Sequence, residues 1–336
     1  MIKSLNALRF VFALMVFLSH LNYIIPATNR FWSFCYRYIF REGYVGVSFF
    51  FMLSGYILAY RYIDTIADKS FSFKTFLSRR LARIVPMYYV GLLIALPLSY
   101  GEFLDGDRVF YFKKLIANLF LGQSLIPISD YYFSFNGVSW SVATELIFYL
   151  CFPILSAFLL RQKSLKKTAI SITIVLIIIA VILLKNPSAY YWLYISPYLR
   201  IADFTMGICL FLWLRKPKEH IPKQKASSWE YGALGVFIVF LLLQAHVHAN
   251  FKVGTFYWIP IAIIIGVFAT TNSQGKLSVF LSKGIWQHLG HISFSFYLLH
   301  HSFFKYYELH LMHKIPSQWT GFAILFLFLT SVLRVL

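Results

Sequence analysis

The stretch Leu5–Ile25, LNALRFVFALMVFLSHLNYII, is apolar over the length of a bilayer crossing, yet it contains an arginine, Arg9, and a histidine, His20. About 20 apolar residues span the hydrocarbon core of a membrane. An ionisable side chain inside such a span is costly and is a functional candidate by default. A helix turns 100° and rises 1.5 Å per residue, so His20 returns to nearly the face of Arg9 about 16 Å further along. Both polar groups therefore lie on one stripe of one membrane helix.

The rest of the chain has the same character. Its 336 residues are 59% hydrophobic and 20% aromatic but only 13% charged, and mean hydropathy is +0.68. A soluble domain is about one-quarter charged, so the composition indicates a polytopic membrane protein. The net charge of +19 does not read as a nucleic-acid footprint. The basic residues sit in short loops between apolar segments, which is the positive-inside pattern. Three cysteines, Cys35, Cys151 and Cys209, give neither a disulfide framework nor a metal motif, and no metal is expected. The N-terminal apolar segment is too long for a cleaved signal peptide and lacks a small-residue cleavage site.

Ten segments qualify as spans: Ala7–Ile25, Gly43–Tyr60, Ile84–Leu98, Trp140–Leu160, Thr168–Leu184, Trp192–Leu214, Tyr231–Ala245, Gly254–Thr270, Ile285–Phe304 and Trp319–Leu336. The loops at 61–83, 161–167 and 215–225 are rich in Lys and Arg and are assigned to the cytoplasm. Between residues 83 and 161 the chain must then cross an even number of times. Leu115–Ile126 is thus expected to be a re-entrant or surface helix on the outer side. The fold class is an all-α integral membrane protein with about ten transmembrane helices and both termini cytoplasmic. One domain is expected over residues 1–336, with no appended soluble domain. Two outer segments, LIPISDYYFSFNGVS (Leu125–Ser139) and YYWLYISPY (Tyr190–Tyr198), are aromatic. An interfacial belt explains both, and a sugar-binding rim would use the same side chains.

Other spans carry polar groups at the depth of His20. Glu145 lies five residues into the span that begins at Trp140; Arg200 and Asp203 enter from the outer side; His300 is near the outer end of its span. His20, Glu145, Arg200 and His300 are expected to converge on one outer-half cavity. A neutral histidine can accept a proton from a hydroxyl, and a carboxylate can orient it; His20 is the expected general base and Glu145 its orienter. The alternative is a structural polar network in which Arg200 pairs with Asp203 or Glu145. On the cytoplasmic side, FLSRRLARIVPMYY supplies Arg79, Arg80 and Arg83, which join Arg9 as candidate phosphate contacts. Neither a Gly-x-Ser-x-Gly elbow nor an HExxH site is present, which favours direct proton abstraction over a covalent serine intermediate.

These residues resemble the acyltransferase-3 family of integral membrane acyltransferases, which includes O-antigen and other surface-polysaccharide O-acetyltransferases. The similarity runs from Leu5 to about His301. It is carried by LNALRFVFALMVFLSH, GYVGVSFFFMLSGYILAY, FLSRRLARIVPMYY, SWSVATELIFYLCFP and HISFSFYLLH in that order. The resemblance implies ten spans in a bacterial inner membrane and a cytoplasmic acetyl-CoA donor. It implies a glycan or lipid-linked saccharide acceptor, and essential roles for Arg9 and His20. Ser54, Trp140, Arg200, Tyr297 and His300 are expected to line the substrate cavity. Two features differ from the family pattern: Asn6-Ala7 stands where Asp-Gly is common, and no Tyr…Glu-Pro signature precedes Leu336. Many relatives add an esterase-like domain, so a relay through one would need a partner protein; homo-oligomerisation stays open. The rival readings are a transporter or flippase of a lipid-linked sugar, and an acyltransferase acting on a small cytosolic molecule.

Overall fold

The computed structural model describes residues 2–21, 30–215, 223–271 and 274–310. Among these residues there are helices and no strands. The longer helices are α1 (Lys3–Ser19), α2 (Val45–Ala67), α3 (Phe73–Leu98), α4 (Arg108–Leu119), α5 (Trp140–Leu160), α6 (Leu165–Ile182), α7 (Pro197–Leu214), α8 (Lys223–Leu243), α9 (Trp258–Thr271) and α10 (Gly284–His310). Seven helical segments, those holding α2, α3 and α5 to α9, are long and apolar enough to cross a membrane. α1 has 17 residues and α10 has 27, about 25 and 40 Å at 1.5 Å per residue, and both run through the centre of the bundle. The protein is an all-α, multi-pass membrane protein. The expected span Trp319–Leu336 lies outside the described residues.

Two contacts set the register of the bundle. α2 and α7 run parallel and nearly touch: a Cβ on Gly55 would strike the Phe204 carbonyl, and one on Gly207 would strike the Met52 carbonyl. Without a hydrophobic drive between helices in lipid, such small-residue approaches supply the packing. α1 then fits between α2 and α10. Phe12 stacks on Phe49 with ring centroids 3.8 Å apart, and Phe10 and Phe17 meet Phe296 at 5.4 and 5.5 Å.

Along α2, Ser48, Ser54 and Tyr62 meet Arg200, Glu145 and Phe152 in turn, so α2, α5 and α7 end together. The basic loops that follow them leave from the same end, where Arg215 pairs with Asp64. This is the end that the positive-inside rule assigns to the cytoplasm; below it is called the basic end.

The short apolar stretch after residue 108 does not cross. α4 begins at Arg108, earlier than expected, because Asp107 accepts from the Val109 and Phe110 N–H groups at 2.8 and 3.2 Å. Its 12 residues reach about 18 Å, short of a 30 Å hydrocarbon core. It lies across the far end, held by Tyr88 Oη donating to the Asn118 carbonyl at 2.8 Å and by Tyr89 Oη donating to that of Leu119 at 2.7 Å. Tyr111, Lys114 and Asn118 face the protein, while Val109, Phe112 and Ile116 are exposed.

Candidate active site

A cavity of about 110 Å³ opens within the bundle between α1, α2, α3, α5 and α10. Its polar lining is Asn6 and Arg9 from α1, Ser54 from α2, Arg80 and Arg83 from α3, Ser141, Glu145 and Tyr149 from α5, and Ser293 and Tyr297 from α10. Apolar side chains such as Leu5, Phe51, Ile57 and Val142 complete the wall. Glu145 Oε1 accepts from Ser54 Oγ at 2.9 Å and from Tyr149 Oη at 2.6 Å. Tyr149 stands one turn after Glu145, so α5 itself sets the second bond. Arg9 lies within electrostatic reach of Glu145 and Arg83.

Arg80 is 6% exposed. Its guanidinium donates to Tyr62 Oη at 3.3 Å and lies 5.7 and 6.0 Å from the Tyr62 and Phe76 ring centroids, while its Nε is buried without a partner. Arg83 is exposed and marks the mouth on the basic end. Three guanidinium groups thus face one carboxylate. The surplus of positive charge, with an unpaired donor on a buried arginine, suits a polyanionic ligand. Arg79 is exposed and is not among the lining residues, although at i, i+4 it lies only about 40° round the helix from Arg83.

Towards the far end the cavity is closed by Tyr297, whose hydroxyl lies 2.8 Å from Ser141 Oγ and whose ring meets Phe50 at 5.7 Å. Beyond this closure sits a cluster of three histidines. His20 Nδ1 is 2.8 Å from the Val16 carbonyl. A carbonyl only accepts, so Nδ1 carries the hydrogen and Nε2 keeps its lone pair. His300 is fully buried; its Nδ1 bonds the Tyr297 carbonyl, and its Nε2 has no partner. His301 Nδ1 accepts from the Gly137 N–H at 3.2 Å, so its hydrogen is on Nε2 when neutral. The His20 ring lies 5.1 Å from that of His300 and 6.1 Å from that of His301. Gly137 is needed here, because a Cβ would come within 2.7 Å of the His301 ring. Among the described residues, no group of three His, Cys, Asp or Glu side chains is arranged to hold a metal.

The residues singled out in the sequence therefore fall into three groups and do not share one outer cavity. Arg9, Ser54, Arg80, Arg83, Glu145 and Tyr297 line the cavity. His20 and His300 lie beyond it. Arg200 belongs to a separate network: its Nη1 is 3.4 Å from Asp203 and donates to the Val253 carbonyl, and its Nη2 donates to Ser48. The ring of Phe51 lies 5.1 Å away and that of Tyr194 5.5 Å. Arg200 is thus the structural network foreseen as the alternative. Trp140 is buried against Tyr194 and Phe51 and does not line the cavity.

The expected pairing of His20 with Glu145 is corrected by their hydrogen bonds, which go to Val16 and to Ser54 and Tyr149. His20 also stands at the end of α1 rather than inside a longer span. There its ring takes up one of the carbonyls that a helix C-terminus leaves unsatisfied.

Sequence reasoning passed over Tyr149, Ser141 and His301. Tyr149 was legible as the i+4 neighbour of Glu145 on a membrane helix. His301 was not, since its partner Gly137 is 164 residues away. A buried carboxylate at the far end, Glu42, was also missed. It accepts from Tyr44, Lys252 and Tyr257 at 2.9, 3.2 and 2.7 Å.

A family model described as an acyltransferase domain matches residues 2–335. Acyltransferase MdmB of Streptomyces mycarofaciens is 29% identical over 96% of this chain and 82% of its own. The peptidoglycan O-acetyltransferase OatA of Listeria monocytogenes is 24% identical over 89% of this chain, which spans 49% of that relative. OatA of Staphylococcus aureus is 25% identical over 77% of this chain and 45% of its own. No solved structure matches the chain. Membership of an enzyme family removes the transporter reading: the chain belongs to the acyltransferase-3 family of membrane acyltransferases.

Proposed function

We propose that this acyltransferase moves an acetyl group from cytoplasmic acetyl-CoA to a hydroxyl of a cell-surface or lipid-linked glycan, in the inner membrane of a bacterium. The observation that carries this reading is the cavity on the basic end, where Arg9, Arg80 and Arg83 surround a space whose far wall, Tyr297, stands 5.7 Å from His300, itself 5.1 Å from His20. The arginines would bind the phosphates of the donor, with the buried, unpartnered Nε of Arg80 supplying a donor for an anion. The acyl end would then extend along the stripe from Arg9 to His20, about 16 Å on helix geometry.

At that point His20 Nε2 accepts the proton of the acceptor hydroxyl as its oxygen attacks the thioester carbonyl. The new C–O bond forms, the C–S bond breaks, and the proton ends on the departing thiolate. His20 is suited to this step because Val16 fixes its Nδ1–H and leaves Nε2 free. Glu145 would act on the donor side, as the one carboxylate facing three guanidinium groups in the cavity, held there by Ser54 and Tyr149. The names of the OatA relatives support an acetyl group and an envelope acceptor. The opening of the cavity at Arg83 also favours a second reading, in which a small cytosolic acceptor enters from the same side as the donor.

Inside-out membrane vesicles containing the full chain separate the two. Radiolabelled acetyl-CoA added outside should place label in the lipid or glycan fraction of the vesicles. Label found only in small soluble products would favour the second reading, and release of no CoA thiol above vesicles lacking the protein would overturn both.

A further inference from the structure

α6 packs more loosely in its first half, at the basic end, than in its second. Its buried residues are Leu176 and Ala180, both in the second half of the helix, where Ala180 packs with Leu193 and Leu199. The first turns, from Leu165 to Val175, hold no fully buried residue; Leu165 and Ile172 pack partly buried against the core. A groove of about 420 Å³ opens between α5, α6 and α7, with Leu176, Leu199 and Ala202 on its floor and Phe158 and Val175 on its rim. It runs along α6 from Thr168 to Ile179, about 16 Å, which is close to the depth of one leaflet. This wedge of space between the three helices is closed near the far end, where Ala180 packs with Leu193 and Leu199.

At the basic end of the groove the chain passes through Arg161, Lys163, Lys166 and Lys167, four cations in seven residues with no acid among them. All four are exposed, and none is in an ion pair among the described residues. One turn further in, the exposed Ser171 hydroxyl on the groove wall makes no hydrogen bond among the described residues. The positive-inside rule accounts for the charge but not for an apolar wedge aimed at it. A second copy of the chain fits poorly, because a two-fold contact through this face would bring each cation cluster towards its own copy.

We propose that the groove binds an anionic phospholipid of the leaflet on the basic side. One acyl chain lies in the wedge, the phosphate sits among Arg161, Lys163, Lys166 and Lys167, and Ser171 donates to an ester carbonyl about 6 Å below Lys167. This site is separate from the acyl-transfer cavity, and its failure would leave that reading intact.

The test is native mass spectrometry and thermal unfolding of the purified full chain in detergent, with phosphatidylglycerol or phosphatidylcholine added. Phosphatidylglycerol should be retained at least tenfold better and should raise the unfolding temperature. Lys166→Gln with Lys167→Gln should remove that preference, and Val175→Trp, at an exposed rim position, should displace the lipid while leaving every cation in place. Equal retention of the two lipids would overturn the proposal. So would phosphatidylglycerol binding that neither variant weakens, or a dimer that Val175→Trp dissociates, which would assign the groove to a second copy.

Discussion

The hydroxyl of Tyr297 lies 2.8 Å from Ser141 Oγ, and this pair stands between the cavity that holds Arg9 and Glu145 and the histidines beyond it. The polar stripe of α1 is therefore interrupted in space although it is continuous in sequence. A donor held by the arginines reaches His20 only if the Tyr297 side chain moves aside. Tyr297→Phe keeps the ring and removes the bond to Ser141, which is worth about 1 kcal/mol. Acetyl-CoA hydrolysis without acceptor should rise severalfold in this variant. Hydrolysis at or below the wild-type rate, in folded protein, would show that the pair does not hold the two sides apart.

The donor-side arginines differ in what they face. Arg83 is at the cavity mouth, whereas Arg79, four residues earlier on the same helix, is outside the lining. A hydrogen bond to a charged group contributes about 1.5–3 kcal/mol, or roughly ten- to hundredfold in affinity. Arg83→Ala should raise the KM for acetyl-CoA by about that factor with kcat little changed, and Arg79→Ala should leave it within about twofold. Equal effects of the two substitutions on KM would mean that net charge at the basic end, not the cavity, binds the donor.

Glu145 carries the negative charge of the cavity and accepts from both Ser54 and Tyr149. Glu145→Gln preserves its size and removes that charge. Transfer should fall by about a hundredfold or more, within the usual range for losing an acid–base or charge-stabilising group, while membrane insertion and thermal unfolding stay near wild type. Transfer within a fewfold of wild type would reduce Glu145 to a packing residue.

At the far end, exposed Glu102 joins α4 to α10 through Lys114 at 3.0 Å and Lys305 at 3.3 Å. Burial pushes its carboxyl up, but the Lys114 hydrogen bond and the charges of Lys305 and Lys114 outweigh that and hold it below its ordinary value of 4.5. A carboxyl whose pKa is lower in the folded state stabilises the fold above its unfolded value, and that contribution disappears as pH falls through the folded one. Wild type should therefore lose thermal stability on acidification below about 4.5 more steeply than Glu102→Gln. Parallel stability curves for the two proteins would show that the pair of lysines contributes nothing.

The sequence was most informative about depth. Apolar length and basic loops located the helices, and the odd–even count of crossings kept α4 out of the membrane. That Arg9, Ser54, Arg80 and Glu145 lie inside the bundle was also legible, because each is a polar residue at a known height in an apolar helix, but that they line one cavity was not. What a linear pattern does not contain is azimuth. Glu145 and His20 both lie towards the far end, yet α5 turns the carboxylate to Ser54 and α1 ends at the imidazole, so they do not meet. Arg200 was placed at the right depth and turned towards Asp203, Ser48 and Val253 by packing between α2 and α7 that only the folded chain reveals.

On this reading the Arg9–His20 stripe of α1 performs acyl transfer. Its most direct test is release of CoA thiol from acetyl-CoA by purified protein reconstituted in liposomes with an extract of bacterial envelope glycans. Wild type would be compared with His20→Ala and Arg9→Ala. The expected result is thiol release by wild type and none above background for either variant, with all three proteins folded and inserted. Thiol release by His20→Ala at the wild-type rate would contradict the account and move the chemistry away from α1.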